Sequence, residues 1–260
     1  MVRAAFFDID GTLLSFRTHE VPESAIRALQ ALRERGVKLF VATGRSPDEM
    51  PTGALHLFER IPFDAYLLFS GHLCYDDAGV YRDEPIDEHD VRVIAGQVAE
   101  GRYDAIFMQR TRIFANRHTD RVREVERNLG TEYPDGSLDG VFDQPTYQLC
   151  AFVDPGEEHL FMDGCAHVEH ARWCDGFCDI FPAGGGKQPA VLATLERYGI
   201  APEEAVAFGD GGNDLPMFAC VGRSVAMGNA GAEVKAAATD VTDNVDDDGV
   251  LRACERLGLV

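Results

Sequence analysis

The sequence predicts an α/β fold: a Rossmann-like parallel sheet whose chain is interrupted by an inserted α+β unit. Three observations carry this. Short apolar runs alternate with helical patterns over the first 70 residues, the alternation returns after residue 187, and the middle switches to paired strands around short turns. Continuous apolar strands separated by helices indicate a parallel sheet covered on both faces.

Residues 4–7 are the first buried-strand run. Residues 22–35 are helical, with Pro22 at the start, Ile26, Leu29 and Leu32 on one face, and Gly36 as the stop. Residues 37–42 and 64–69 supply two more buried strands. In the middle, helical stretches at 88–100, 119–129 and 157–163 alternate with a hairpin (103–109 and 112–115), a strand (146–153) and a second hairpin (166–173 and 177–181) around Cys174-Asp175-Gly176. That order describes an α+β unit resting on one sheet. The rest returns to alternation: helix 188–198, strand 205–208, short helix 214–220, strand 224–227, then 232–238, 240–242 and 248–257. The expected division is a discontinuous core, 1–82 and 184–260, with an insert at 83–183. Arg82-Asp83-Glu84-Pro85 and Phe181-Pro182-Ala183-Gly184 lie at the joins.

At 260 residues the chain is long enough for one or two domains. Hydrophobic content of 45% and charged content of 26% are those of a soluble globular protein. The formal net charge is −20 at pH 7. Such an excess argues against nucleic acid, whose phosphates attract basic patches, and against an anionic membrane surface. A small anionic substrate would need a local remedy: a cation, a Lys or Arg, or a nest of backbone amides. The N-terminal apolar run is too short for a signal peptide and ends in acids. No segment approaches the roughly 20 apolar residues of a membrane span. The seven cysteines are scattered without zinc-site spacing, which points to reduced thiols and a cytoplasmic location.

Four places carry candidate chemistry, three of them just past an apolar strand, where open parallel sheets bind ligands. In Asp8-Ile9-Asp10-Gly11-Thr12, residues two apart point to the same side of extended chain, so two carboxylates can converge. Like charges that close need a bridging cation. The arrangement suits a nucleophilic carboxylate beside an acid/base carboxylate, or a loop whose acids cap the next element. In Thr43-Gly44-Arg45, a hydroxyl, an open backbone amide and a guanidinium can all serve a phosphate, or the Thr can cap a helix. Gly184-Gly185-Gly186-Lys187 is not a nucleotide-binding Walker loop, because Gln188 stands where Ser or Thr is needed. It reads as a hinge that also supplies a positive charge. The acidic loop Gly209-Asp210-Gly211-Gly212-Asn213-Asp214 suits a hard cation, and lacks the twelve-position pattern of an EF-hand.

Together these residues resemble the four motifs of the haloacid dehalogenase (HAD) superfamily, and more closely its Cof-type phosphatases with a type IIB cap. Val225-Ala226-Met227-Gly228-Asn229-Ala230 and Asp247-Asp248-Gly249-Val250 are similar to that family's C-terminal pattern. The resemblance spans both core segments; in the insert only the order of elements matches. One segment departs. Where the family has Ser-Asn-Gly-Ala after its third core strand, this chain has Phe69-Ser70-Gly71-His72. His72 is expected either to contact the leaving group or to cap a turn.

The resemblance implies Mg²⁺-dependent hydrolysis of small phosphorylated metabolites, such as sugar phosphates, through an aspartyl-phosphate. Asp8 would be the nucleophile, and Asp10 the acid and then the base. Mg²⁺ would be held by the Asp8 carboxylate, the Asp10 backbone carbonyl and Asp210. Asp214 would orient Lys187 or a metal-bound water. Thr43, the amides of Ile9 and Gly44, Arg45, Lys187 and Asn213 would hold the phosphate. The insert would act as a lid, with Arg110, Arg112, Arg117, His118 and Trp173 as candidate lining residues. Two rivals share the acids: a phosphomutase or phosphotransferase on sugar phosphates, and a non-catalytic phospho-acceptor module.

Overall fold

The computed structural model describes residues 1–129 and 132–260, except for the side chains of Asn128, Leu129, Trp173 and Cys174. In chain order the first elements are β1 (Ala4–Phe7), α1 (Glu23–Glu34), β2 (Lys38–Ala42), α2 (Thr52–Arg60), β3 (Ala65–Leu68), β4 (Leu73–Asp76) and β5 (Gly79–Asp83). Next come α3 (Glu88–Ala99), β6 (Asp104–Gln109), β7 (Ile113–Ala115), α4 (Asp120–Leu129), β8 (Thr146–Phe152), α5 (His159–Met162), β9 (Val168–Cys174) and β10 (Phe177–Pro182). The last are α6 (Lys187–Tyr198), β11 (Ala205–Gly209), α7 (Leu215–Phe218), β12 (Arg223–Ala226), α8 (Ala232–Ala237), β13 (Asp240–Val241) and α9 (Gly249–Arg256). The chain divides into two compact units. One comprises Met1–Arg45, Glu49–Asp83 and Gly185–Val260; the other comprises Ser46–Asp48 and Glu84–Gly184.

The first unit is built on an eight-stranded sheet in the order β13-β12-β11-β1-β2-β3-β4-β5. Its strands are apolar throughout because both faces are covered. Ala5, Phe7, Leu39, Val41, Val206 and Phe208 face α1 and α9 residues such as Leu29 and Val250. Their neighbours Ala4, Phe6, Phe40, Ala42, Ala205 and Ala207 face α6 and α7 residues such as Val191 and Met217. This is the period of two expected of a strand packed on both sides. Phe7 stacks on Phe208 with ring centroids 4.8 Å apart, and Phe6 on Phe40 at 4.7 Å. Burying each such ring contributes roughly 1.5–3 kcal/mol, so the strands that end in the acidic loops are firmly held. Strand β1 lies between β2 and β11, with Phe7 opposite both Val41 and Phe208. The strand order reverses there, which is where open α/β sheets form their binding crevice. The ends of β1, β2 and β11 are therefore neighbours.

The sheet is not parallel throughout. Strand β4 runs antiparallel to β3, and β5 antiparallel to β4. The sequence expectation stopped at 64–69 and missed this hairpin. Strand β5 forms the sheet edge, with Val80 50% exposed, and β4 buries only Leu73 and Cys74, so they lack the continuous apolar run used to find the others. Its turn is closed by the Ala78 amide donating to Asp76 Oδ1 at 2.9 Å. Arg82 and Asp83, expected in a connecting segment, are the last residues of β5.

The second unit is a five-stranded antiparallel sheet, β7-β6-β8-β10-β9. Alternate residues Ala105, Phe107, Leu149, Ala151, Cys178 and Ile180 pack with Val91, Ile94 and Val98 of α3 and Phe161 of α5. Both hairpins expected in the middle of the chain are present. Among the described residues, no helix is long and apolar enough to cross a membrane. The six cysteines with described side chains are free thiols. Burial pushes Cys165, Cys178 and Cys220 up to about 11 and Cys254 up to about 12, values of unreactive thiols.

Candidate active site

Strand β1 ends by delivering Asp8 to the crevice, and β11 delivers Asp210 and, after a tight turn, Asp214. The first residue of α6, Lys187, is buried to 1% exposure, as are Asp8 (6%) and Asp214 (0%). Lys187 Nζ donates to Asp8 Oδ1 at 2.6 Å and to Asp214 Oδ1 at 2.5 Å. The other oxygen of Asp214 accepts from the amides of Asp210 (2.9 Å) and Gly211 (3.0 Å), which fixes the loop. Carboxylate oxygens of Asp8, Asp210 and Asp214 lie within 4.8 Å of one another.

Three acids this close are electrostatically expensive. Burial pushes Asp8 well above the usual carboxylate range; Lys187 opposes this, while Asp214 and Asp210 add to it. Burial, reinforced by Asp214, pushes Asp210 up to about 7, with Lys187, Thr12 and Asn229 opposing. Burial also disfavours the Lys187 ammonium, but Asp214 and Asp8 outweigh it and raise its pKa above the usual value, so it stays charged. The donor set fits a hard divalent cation. It is all oxygen, and a positive charge would offset the burial and the Asp214 repulsion that keep a proton on Asp210.

Asp210 is further oriented by two residues to which the sequence assigned no role. Asn229 Nδ2 donates to Asp210 Oδ2 at 3.0 Å and to the Gly11 carbonyl at 2.8 Å, while its Oδ1 accepts from the Val245 amide at 3.1 Å. Thr12 Oγ1 donates to Asp210 Oδ1 at 3.4 Å. Gly11 stands at φ +76°, and a Cβ there would overlap both the Asp210 carboxylate and the Phe16 ring. Asn229 had a signal: it follows β12, another strand ending beside the crevice.

Asp10 points elsewhere. Its two oxygens accept from Arg45 Nε (2.6 Å) and Nη2 (2.8 Å), while Arg45 Nη1 donates to the Glu49 carbonyl at 2.8 Å. The sequence assigned Arg45 to the phosphate. The structure pairs its guanidinium with Asp10, because β1 and β2 are neighbours and a bidentate carboxylate is within reach. Asp10's carboxylate is not among the three clustered acids; only its backbone carbonyl was expected to serve a metal. Thr43 is buried, and its Oγ1 accepts from the Arg45 amide at 3.2 Å. Ile9 buries its side chain, and its carbonyl accepts from the amides of Thr12, Leu13 and Leu14 at 2.8–3.2 Å. Gly44 is half-buried at the end of β2. Asn213 is exposed beside Gly211.

His72 does not stand free to meet a leaving group. It is 1% exposed and packs on Gly185. In the second unit the other candidates have local work. Arg110 donates to Tyr147 Oη (2.6 Å), Arg112 to the Ser137 carbonyl (2.7 Å) and Arg117 to Asp104 (2.7 Å). His118 hydrogen-bonds Asp135 (2.6 Å) and Glu126 (3.0 Å). The Trp173 side chain lies outside the described residues.

Comparison with known proteins agrees with this geometry. A family model described as haloacid dehalogenase-like hydrolase matches residues 5–254. The Bacillus subtilis (strain 168) protein named "Putative phosphatase YkrA" is 32% identical over 258 residues, covering 98% of this chain and 97% of that protein. Among solved structures, the HAD subclass IIB sugar phosphatase BT4131 superposes with a TM-score of 0.87 at 32% identity, covering both chains fully. BT1666 from Bacteroides thetaiotaomicron, described among phosphatases of the haloalkanoate enzyme superfamily, superposes with a TM-score of 0.90 at 32% identity, covering 100% of this chain and 96% of the other. With the acids at the switch point, the buried lysine between them and a family match across nearly the whole chain, the protein belongs to the haloacid dehalogenase-like hydrolases.

Proposed function

We propose that the protein is a Mg²⁺-dependent phosphatase of small phosphorylated metabolites, sugar phosphates foremost, working through a phosphorylated Asp8. The observation that carries this reading is the buried Lys187 ammonium between Asp8 and Asp214, with Asp210 alongside. It pairs a carboxylate nucleophile with a fixed positive charge for an incoming phosphate. The names of relatives, including the HMP-PP phosphatase of Escherichia coli O8 (strain IAI1) at 28% identity over 251 residues, support the same class.

An Asp8 oxygen attacks phosphorus in line, the bond from phosphorus to the ester oxygen breaks, and a protonated Asp10, released from its pairing with Arg45 when substrate is bound, gives that oxygen its proton. Asp10 then takes a proton from water as the water attacks the phosphorus of the acyl phosphate. Phosphate leaves, and the Asp8 carboxylate is restored. Before substrate binds, Arg45 sets where the Asp10 carboxyl sits. Thr43, the amides of Ile9 and Gly44, Asn213 and Lys187 hold the non-bridging oxygens. Mg²⁺, on Asp8, Asp210 and the Asp10 carbonyl, would neutralise phosphate charge. At ~4 Å and an effective dielectric constant near 20, one unit-charge contact is worth about 4 kcal/mol. Local cations therefore outweigh the screened field of the surface acids. On this reading the insert is a type IIB cap that selects the leaving group.

A screen of phosphorylated metabolites with and without Mg²⁺ tests the reading. Chelator-sensitive phosphate release is expected. Transfer to a second sugar hydroxyl with little free phosphate would make the protein a mutase; a lasting phospho-aspartate without turnover would make it an acceptor module.

Two further results are expected. Folded, metal-free protein keeps a proton on Asp210 up to about pH 7, against 3.8 for an ordinary Asp. The raised value favours the folded state most below pH 3.8. That contribution, on the order of 4 kcal/mol, is lost as pH rises through 7. Mg²⁺ takes the proton's place, so its stabilisation should be larger at pH 8 than at pH 5.5. Thermal melts at both pH values check this, and equal shifts would contradict it. Asn229→Ala frees one side of Asp210 and should raise the Mg²⁺ concentration for half-maximal activity by about 10–100-fold. An unchanged Mg²⁺ titration would remove Asn229 from the metal's support.

A further inference from the structure

The turn at residues 69–72 has no part in the chemistry above, yet its backbone is costly. Phe69, Ser70 and Gly71 stand at φ of 49°, 56° and 97°, three left-handed residues in a row, two of them not glycine. A non-glycine residue in such a conformation costs on the order of 1–3 kcal/mol and persists only where its surroundings over-determine it.

Here the surroundings are the parts of the site. The Phe69 amide donates to the Arg45 carbonyl at 3.1 Å, and the Ser70 amide to the Thr43 carbonyl at 2.8 Å, so the turn is bonded to the loop after β2. Gly71 presses on the start of α6: a Cβ there would overlap the Ala190 side chain and stand 2.9 Å from the Gly186 carbonyl oxygen. The Gly71 carbonyl accepts from Arg82 Nε at 3.0 Å, at the end of β5, where the chain leaves for the second unit. The His72 ring covers Gly185, where the chain returns; a Cβ at 185 would overlap Cε1 and lie 2.6 Å from Nδ1. Two residues later comes Lys187.

We propose that His72 is a positioning residue for Lys187: by filling the space against Gly185 it fixes the entry into α6, and with it the reach of the ammonium to Asp8 and Asp214. The turn makes that placement common to Thr43 and to both connections with the second unit. His72 acts by shape, since burial, with Arg82 adding to it, lowers its pKa to about 4 and leaves the ring neutral. Lys187 has little slack: its Nζ is buried, with bonds of 2.6 and 2.5 Å. Misplacing such a group by about 1 Å can cost on the order of 100-fold in rate. The proposal rests on reading Lys187 as a holder of the phosphate.

The test is a size swap. His72→Ala opens space, Gly185→Ala collides with the ring, and the double variant lets the new methyl occupy the vacated space. With p-nitrophenyl phosphate and Mg²⁺, each single variant should lower kcat about 10–100-fold while KM changes less than about threefold, because Lys187 does most in the transition state. The double variant should recover to within about fivefold of wild type, and His72→Gln, which keeps most of the volume, should lose little. If His72→Ala does not fold, Gly185→Ala and the double variant carry the same comparison. A role in stability alone would lower the melting temperature, leave kcat of the folded enzyme intact and give no recovery in the double; that result overturns the proposal. Acetylation of Lys187 by acetic anhydride, followed by mass spectrometry, reads its burial without activity. Labelling should be about tenfold faster in each single variant and return to the wild-type rate in the double. Unchanged labelling in both singles would also overturn the proposal. If wild type hydrolyses no phosphate ester, the functional reading fails, while the labelling still decides the role of His72.

Discussion

Asp8→Asn lowers kcat for any phosphate ester by at least about 10⁴-fold and leaves the fold intact. The amide cannot form the acyl phosphate, so the covalent route is closed. Asn retains an oxygen for the Lys187 ammonium, and it removes a carboxyl whose ionisation is disfavoured by burial and by the neighbouring Asp214 and Asp210. The melting temperature should therefore hold or rise. Steady-state kinetics paired with thermal melts check both halves. A variant with more than about a hundredth of wild-type kcat would refute the nucleophile assignment; one that is inactive and unfolded would show that Asp8 serves the fold.

Lys187→Met should destabilise the protein by about 3–5 kcal/mol as well as silence it. The ammonium is wholly buried and bridges two buried carboxylates. Methionine matches its length and leaves Asp8 and Asp214 without their partner. The energetic loss comes less from the missing attraction than from the uncompensated charges left behind. Adding Asp214→Leu should then recover part of the stability, giving a coupling of 1 kcal/mol or more in the double-mutant cycle. Urea unfolding measures this. A single-variant loss under about 1 kcal/mol would mean that the pair is not held as the structure places it.

The sequence made the central sheet and its acids legible because both follow simple periodicities. Strands such as Ala4–Phe7 are covered on both sides and so are apolar at every position, and the functional loops follow those strands directly. The β4–β5 hairpin escaped because β4 has only Leu73 and Cys74 buried, and β5, at the sheet edge, has no buried residue, so neither shows a continuous apolar run. The sequence gives Arg45 a phosphate as its partner, and the structure places its guanidinium on Asp10. Which acid a guanidinium meets depends on strand order, and the adjacency of β1 and β2 cannot be read from local pattern. Asn229 and Thr12 are visible in motifs, yet their bonds to Asp210, 198 positions from Thr12 and 19 from Asn229 across the crevice, depend on the fold. His72 departs from the family pattern. Its contact with Gly185 is a packing fact that only the fold supplies.

The central claim is that phosphate passes through Asp8. Borohydride added during turnover reduces an acyl phosphate: one hydride goes to the carbonyl carbon as phosphate leaves, and a second hydride and a proton turn the resulting aldehyde into an alcohol. Mass spectrometry of the peptide carrying residues 4–17 should find homoserine at position 8 when substrate and Mg²⁺ are present, and unmodified Asp8 when either is withheld. Steady turnover with position 8 unreduced, or with the reduced residue elsewhere, would contradict the account.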